Sequence, residues 1–146
     1  MAIEGLARLK RKLSKSIPER VRKNTEEALK RAARSITDTM EAFAPQDTGR
    51  LKGSIGWTMG DPPPGSISSK RKSEPGDIAA TIYAGDESTM VTNKRGVRFQ
   101  NARLQEFGTQ NMPPNPFFYP AYRAHKKSVK SRVSRAIKKG LKEGAK

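Results

Sequence analysis

Net charge is divided unevenly along this chain, and the division limits what the chain can fold into. The net charge is +7 over residues 1–34, zero over 35–121 and +9 over 122–146, out of a total of +16. Large apolar residues are scarce as well, because Leu, Ile, Val and Phe make up only 25 of the 146 residues. This combination favours disorder over a well-packed lone globule. We therefore expect a neutral body flanked by two basic segments that need an anionic partner or neighbouring molecules.

Helical periodicity marks both ends of the chain. Apolar residues three and four positions apart predict a basic leader helix near residues 3–15, within a leader segment of residues 1–16. The same spacing predicts a longer helix over 17–43. It also predicts a final helix over 117–142 with Lys and Arg on its outer face, followed by a tail of residues 143–146.

Between these helices the periodicity changes to two. Alternating apolar and polar residues predict strands at 55–59 and 78–83, and residues 93–96 are typical of a hairpin tip. Residues 61–77 contain four prolines, two glycines and four serines, so we expect a flexible loop that cannot pair in a sheet.

Residues 100–107 could continue the strand that begins at Val97 and Phe99 or form a short helix, and we favour the helix because Gly108 would close it well. Together the predicted elements indicate an α+β fold, with a small antiparallel sheet packed against a long N-terminal helix and a C-terminal helix. We expect one domain over residues 17–142.

The sequence gives little support for catalysis. The chain has no cysteine and one histidine, His125, beside which no carboxylate partner is evident. It carries no phosphate-binding glycine loop, zinc-protease helix or nucleophile elbow. We expect no enzymatic activity, no cofactor and no metal site. No apolar run is long enough for a membrane span or a secretory signal.

The segment from Ala44-Pro45 to Leu51 joins the long helix to the first strand. Its Asp47 can accept hydrogen bonds from the backbone that follows, and its Gly49 permits a positive φ. We interpret it as a tight turn from helix to strand, in preference to a site with Asp47 as a catalytic acid.

Three consecutive aromatic residues, Phe117, Phe118 and Tyr119, lie between Pro116 and Pro120. They follow the motif Glu106-Phe107-Gly108-Thr109. Two interpretations stay open for the aromatics: a rigid plug that closes the core, or a surface that docks on a neighbouring subunit.

Two basic surfaces have the charge needed to contact phosphates or acidic proteins. The leader contributes Arg8, Lys10, Arg11, Lys12 and Lys15, and the final helix contributes Lys126, Lys127, Lys130, Arg132, Arg135, Lys138 and Lys139. Neither surface shows the stacking aromatics or the base-reading pattern of a sequence-specific module. Three alternatives stay open: specific recognition of nucleic acid, non-specific contact with DNA, and a solvated or partner-facing surface.

The order of these motifs over residues 20–140 resembles the neck and tail-completion proteins of tailed bacteriophages, including lambda-like coliphages. The loop 61–77 and the basic leader depart from that family. The resemblance implies a structural protein of the virion tail or neck that is present in the host cytoplasm during assembly. It implies a homo-oligomeric ring, hexameric or dodecameric, at the head-tail junction, through which DNA passes. The implied neighbours are tail terminator, tail tube or head connector proteins.

On this resemblance, the two motif regions are candidates for the subunit or partner interface. The residues are Pro45, Asp47, Thr48, Gly49, Leu51, Glu106, Phe107, Gly108, Thr109, Pro116, Phe117, Phe118, Tyr119 and Pro120. Like charge opposes ring closure, so we expect at least one basic segment to meet an acidic partner, although basic helices lining a DNA channel stay an alternative. The alternative function is that of a small basic protein that binds DNA or RNA without specificity.

Overall fold

The computed structural model describes residues 19–46, 49–69 and 78–144. The helices there are α1 (Glu19–Phe43), α2 (Arg50–Gly53), α3 (Asn101–Phe107) and α4 (Phe118–Gly144). The strands are β1 (Gly56–Thr58), β2 (Ile67–Ser68), β3 (Thr81–Ala84), β4 (Met90–Thr92) and β5 (Arg98–Gln100), with a 3-10 turn (Glu87–Thr89) before β4. These elements confirm the α+β class, with small antiparallel sheets between two long helices.

Helices α1 and α4 run antiparallel and share the most extensive contact in the described part of the molecule. At one end, Gly140 approaches α1 so closely that a Cβ on it would lie 2.7 Å from the Cα of Val21. At the other end, the Thr39 hydroxyl lies 2.7 Å from Nε2 of His125. Glycine normally weakens a helix interior, but here it lets two backbones come together.

One face of α1 is buried along most of its length. Its buried residues recur every three or four positions and include two threonines, whose hydroxyls donate to carbonyls of the same helix. This internal bonding offsets the cost of burying a hydroxyl. The helix also contacts β1 and β3, so it lies against the sheet as well as against α4. The buried residues are Val21, Thr25, Ala32, Ala33, Ile36, Thr37 and Met40.

The main sheet has the strand order β1-β3-β2, and both pairings are antiparallel. Trp57 pairs with Ile82 in the first ladder, and Ile67 pairs with Ala84 in the second. The strands are shorter than predicted. The first ends at Thr58 and the central strand begins at Thr81.

The pairing of β2 corrects the expectation that residues 61–77 cannot join a sheet. Three of the four prolines of this segment precede Ile67 and the fourth is Pro75, so Ile67 and Ser68 keep their backbone N–H groups for a ladder. The strand lies at the edge of the sheet, a position that short strands beside prolines can occupy. Residues 70–77 lie outside the described residues.

Strands β4 and β5 form a separate two-stranded hairpin, with Val91 opposite Phe99. The side chain of Asn93 closes its turn by accepting hydrogen bonds at 2.9 Å from the N–H groups of Arg95 and Val97. The predicted hairpin tip is therefore confirmed. So is the helix predicted over 100–107, although Gln100 belongs to β5 and precedes the helix.

The core lies where α1, the main sheet and the first turn of α4 meet. Phe117, Phe118 and Met40 are its largest fully buried side chains. The remaining buried members of the cluster are small or aliphatic: Ala33, Ile36, Ala44, Leu51, Ile55, Ile82, Ala84, Ala102 and Ala121. The core contains few large side chains, in keeping with the scarcity of large apolar residues in the sequence.

Candidate assembly interface

Glu106 connects the two motifs that the sequence places eleven residues apart. Its side chain is buried, and Oε2 accepts hydrogen bonds at 2.8 Å from the backbone N–H groups of Phe117 and Phe118. Oε1 accepts a third, at 3.0 Å, from the N–H of Tyr119. Because Pro120 has no N–H, Glu106 accounts for the N–H groups that the start of α4 would otherwise leave unpaired. The glutamate is the N-terminal cap of α4.

The loop from Gly108 to Pro116 brings these partners together. Gly108 ends α3 with a positive φ of 74°, and a Cβ on it would lie 2.7 Å from the backbone N of Pro114. Thr109 pairs with Met112, and the N–H of Asn115 donates to the carbonyl of Gln105 at 2.7 Å. The chain thus returns alongside α3, and this places the N–H of Phe117 within hydrogen-bond distance of Glu106.

Several of the predicted interface residues are buried within the chain itself. Phe117 and Phe118 have no exposed surface, and Leu51 and Glu106 are only 5% exposed. Core closure and subunit docking were the two interpretations of the aromatic run. The burial of Phe117 and Phe118 fits core closure. They offer no surface to a partner in this structure.

An exposed aromatic patch, formed by Phe107 and Tyr119, remains at the surface beside the buried pair. Phe107 is 57% exposed and Tyr119 is 37% exposed, with ring centroids 6.0 Å apart. Gly108, Thr109 and Pro116 lie next to these residues in the chain. Within the described residues of the predicted interface, this patch holds the large apolar side chains that are exposed to another molecule.

The segment after α1 is built around Leu51 and Ser54. Gly49 precedes the short helix α2, which buries Leu51. Ser54 is buried, donates to the carbonyl of Leu51 at 2.6 Å and accepts a hydrogen bond from the N–H of Gly85 at 3.0 Å. Ser54 thereby connects this turn to the end of β3. Pro45 is half-buried and Gly49 is exposed, whereas Asp47 and Thr48 lie outside the described residues.

A second apolar surface, which no sequence motif predicted as a site, lies on the β4–β5 hairpin. Val91, Val97 and Phe99 are 40%, 48% and 41% exposed. Val91 and Phe99 are opposite each other, and Val97 lies two residues before Phe99, so all three share one side of the hairpin. We call this side the hairpin face. The alternation of Val97 and Phe99 with polar residues was the available signal.

Gln100 fixes the hairpin to the rest of the domain. Its amide nitrogen donates to the carbonyls of Gly65 and Asp86, at 3.3 and 3.1 Å. Its amide oxygen accepts from the Thr89 hydroxyl at 2.5 Å and from the N–H of Ala102 at 3.4 Å. One buried side chain therefore joins the loop before β2, the 3-10 turn and the start of α3.

The predicted basic residues of the final helix lie on the outer side of α4. Lys126, Lys127, Lys130, Arg132, Arg135, Lys138 and Lys139 are all exposed. Arg123 and Lys142 extend the same surface, which we call the basic face of α4. The predicted leader residues, Arg8, Lys10, Arg11, Lys12 and Lys15, lie outside the described residues.

His125 is half-buried against α1 and is bonded to Thr39. Within the described ranges, no three His, Asp or Glu side chains are grouped so that they could hold a metal ion. None of the helices described combines the length and hydrophobicity that a membrane span needs.

Comparison with known proteins gives one family. Residues 7–108 match the HK97-gp10-like family, described as "Bacteriophage HK97-gp10, putative tail-component". In the same comparisons, no curated protein and no solved structure gives a significant match. The match covers more than two thirds of the chain and ends just after α3, so α4 lies beyond it. It confirms the resemblance to tailed-phage proteins, and the chain therefore belongs to the HK97-gp10-like family of bacteriophage tail components.

Proposed function

We propose that this tail component is a non-enzymatic structural protein that assembles as a homo-oligomeric ring at the head-tail junction, around a channel through which DNA passes. The observation that carries the proposal is the pair of apolar surfaces that a single chain leaves uncovered, the hairpin face and the aromatic patch. Family membership supplies the setting, a phage tail.

The hairpin face is unusual for a surface strand pair. Its exposed side carries Val91, Val97 and Phe99, whereas its opposite side holds the buried Gln100 and the half-buried Met90. A two-stranded hairpin is only marginally stable by itself, and an exposed apolar strand surface promotes association. Such a surface suits a permanent neighbour better than solvent.

Two different apolar patches on one chain favour a ring over a symmetric dimer. A symmetric dimer uses the same patch on both subunits, whereas a head-to-tail contact joins two different patches and closes into a ring when the rotation allows it. We propose that the hairpin face of one subunit packs against the aromatic patch of the next. Each subunit would then cover apolar surface on two neighbours, which compensates for its small core.

The proposed partners above and below the ring are a tail terminator, tail tube or head connector protein. The proposed location is the virion tail or neck, with the host cytoplasm as the site of assembly. Hexamers and dodecamers are both compatible with the proposal, because neither patch fixes the rotation between subunits.

Native mass measurement tests the ring directly. Wild-type protein is expected to form a closed oligomer, alone or when mixed with neighbouring virion proteins. Changing Val91 and Phe99 to Ser removes the hairpin face, and Phe107→Ser removes the aromatic patch. Phe43→Ser is the matched control, because Phe43 is 47% exposed but belongs to neither patch. Only the control is expected to keep the oligomer.

Mixing the two defective variants separates a head-to-tail contact from a symmetric one. Each variant keeps one intact patch, so together they can form a single junction and should give a heterodimer that cannot close. A protein that stays monomeric at every concentration and with every virion partner would contradict the ring. Equal loss of assembly in the Phe43→Ser control would contradict the assignment of the two patches.

A further inference from the structure

The basic face of α4 is the largest uncompensated charge in the described part of the chain. Nine of its 27 residues are Lys or Arg and only one, Glu143, is acidic. Glu143 lies 3.9 Å from Arg20 of α1, so it does not neutralise its own helix. Arg123 and Arg135 donate to carbonyls of α4, and among the described residues none of the nine cations forms a salt bridge with a carboxylate.

Of the two long helices that the structure describes, only α4 accumulates positive charge in this way. Over its 25 residues, α1 carries six basic and five acidic side chains. On α4, by contrast, cations follow one another at helical neighbour spacing, as in Lys126 with Lys130 and Lys138 with Lys142. Each such like-charged pair destabilises a helix by about 0.2 to 0.5 kcal/mol. An anionic partner would turn this repulsion into attraction.

The side chains between the cations indicate what kind of anion fits. Ala124, Ser128, Ser131 and Ser134 are small and exposed, and Leu141 is the one large apolar residue on this side that is half exposed. The core of a protein-protein interface is enriched in aromatic residues and depleted of lysine, which is the reverse of this composition. A phosphate backbone, in contrast, needs only cations that can approach closely.

The length and composition of α4 favour duplex DNA that is bound without sequence specificity. A helix of 27 residues is about 40 Å long, and B-DNA carries one phosphate per roughly 1.7 Å of its axis, so many phosphates lie within reach of one subunit. The helix contains no Asn or Gln, the side chains that read adenine. We infer that the basic face of α4 binds the phosphate backbone of duplex DNA non-specifically.

This inference goes beyond the proposed ring, because α4 lies outside the part of the chain that matches the family and a single subunit presents the whole surface. It can therefore fail while the ring is correct, or hold while the ring is wrong. DNA binding and oligomer mass are separate measurements on the same full-length protein.

The test is fluorescence anisotropy with short DNA duplexes of three unrelated sequences, across a range of salt concentration. The test variant changes Lys126, Lys127, Lys130 and Lys138 to Gln. The matched control changes Lys23, Arg31, Lys94 and Arg95 to Gln, so both variants remove four positive charges from the chain's total of +16. A third variant with Arg at the four α4 positions keeps the charge. Circular dichroism checks that all of them fold.

We expect the slope of log affinity against log salt concentration to be smaller in magnitude by about 3 to 4 for the α4 variant, because each phosphate contact contributes about 0.9 to that slope. The loss should be equal on all three duplexes, whereas the control and the Arg variant should keep the wild-type slope. Three results would overturn the inference: no DNA binding by wild type near 0.05 M salt, equal losses in the α4 and control variants, or tighter α4-dependent binding to polyglutamate than to DNA. The last would identify an acidic protein as the partner.

Discussion

Removing the carboxylate of Glu106 is the sharpest test of how this fold holds its C-terminal helix. Glu106→Ala would leave the N–H groups of Phe117, Phe118 and Tyr119 without their acceptor. The first two belong to fully buried residues, so water cannot readily replace the lost bonds. The change also deletes a negative group from the positive end of the α4 dipole.

The structure sets the expected size of the effect. A hydrogen bond to a charged group contributes about 1.5 to 3 kcal/mol, and the three bonds are not independent, so Glu106→Ala should cost about 3 to 5 kcal/mol of unfolding free energy. Glu106→Gln keeps one oxygen, which can still serve Phe117 and Phe118, but it turns an amide donor towards the N–H of Tyr119. Loss of that single bond should cost about 1.5 to 3 kcal/mol.

Urea denaturation followed by circular dichroism, at a concentration where the protein is monomeric, measures both costs. Glu27 gives the matched control, because it is an exposed glutamate on α1 and its replacement by Ala or Gln should change stability by less than about 0.5 kcal/mol. Amide hydrogen exchange adds a local readout, since the N–H groups of Phe117, Phe118 and Tyr119 should lose protection in the Ala variant. If Glu106→Ala costs no more than Glu27→Ala, the capping argument fails.

Three further predictions concern two close contacts of glycines and the buried hydrogen bonds of Gln100, and equilibrium denaturation measures each of them. Gly140→Ala should destabilise the protein by about 1 to 3 kcal/mol because its Cβ would meet the Val21 backbone. Gly53→Ala is the control and should be neutral or stabilising, because there is open space around Gly53. Equal effects of the two changes would refute the close approach of the helices. Gly108→Ala should cost more than Gly96→Ala, because both have a positive φ but only Gly108 faces a neighbouring backbone; equal costs would show that this backbone gives way. Gln100→Leu should cost about 2 to 4 kcal/mol of unfolding free energy, because it leaves buried polar groups unpaired. Gln110→Leu, at an exposed position, should have little effect. A neutral result for Gln100→Leu would contradict the role of Gln100 in linking the hairpin to the domain.

Helical periodicity predicted the long elements well, because burial along one face leaves a strong trace in the sequence. The helix predicted over 17–43 is observed as Glu19–Phe43, and the one predicted over 117–142 as Phe118–Gly144. In both, apolar residues recur every three or four positions against a polar background. Gly108 likewise marked the end of α3, since few other residues adopt its backbone conformation.

Features that depend on contacts between distant segments could not be predicted in this way. Ile67 and Ser68 sit in a proline-rich stretch, and their pairing with β3 depends on where that strand lies in space. The capping role of Glu106 depends on a loop that returns the chain to it eleven residues later. The sequence contains both the Glu106 motif and, later, Pro120 near the start of a helix. Only the structure shows that Glu106 caps that helix.

The way in which acidic groups are used explains why charge is segregated along the chain. In the neutral body, acids act within the fold: Glu106 caps α4, Asp86 caps the 3-10 turn and Glu87 pairs with Arg98. Among the described residues, by contrast, no cation of α4 pairs with a carboxylate. The apolar patches and the basic face therefore serve different kinds of contact, and these respond oppositely to salt. Apolar contacts persist or strengthen as salt rises, whereas phosphate contacts weaken steeply. Raising salt should consequently release DNA from the assembled protein before it dissociates the subunits, an order that a ring held together by charge alone could not show.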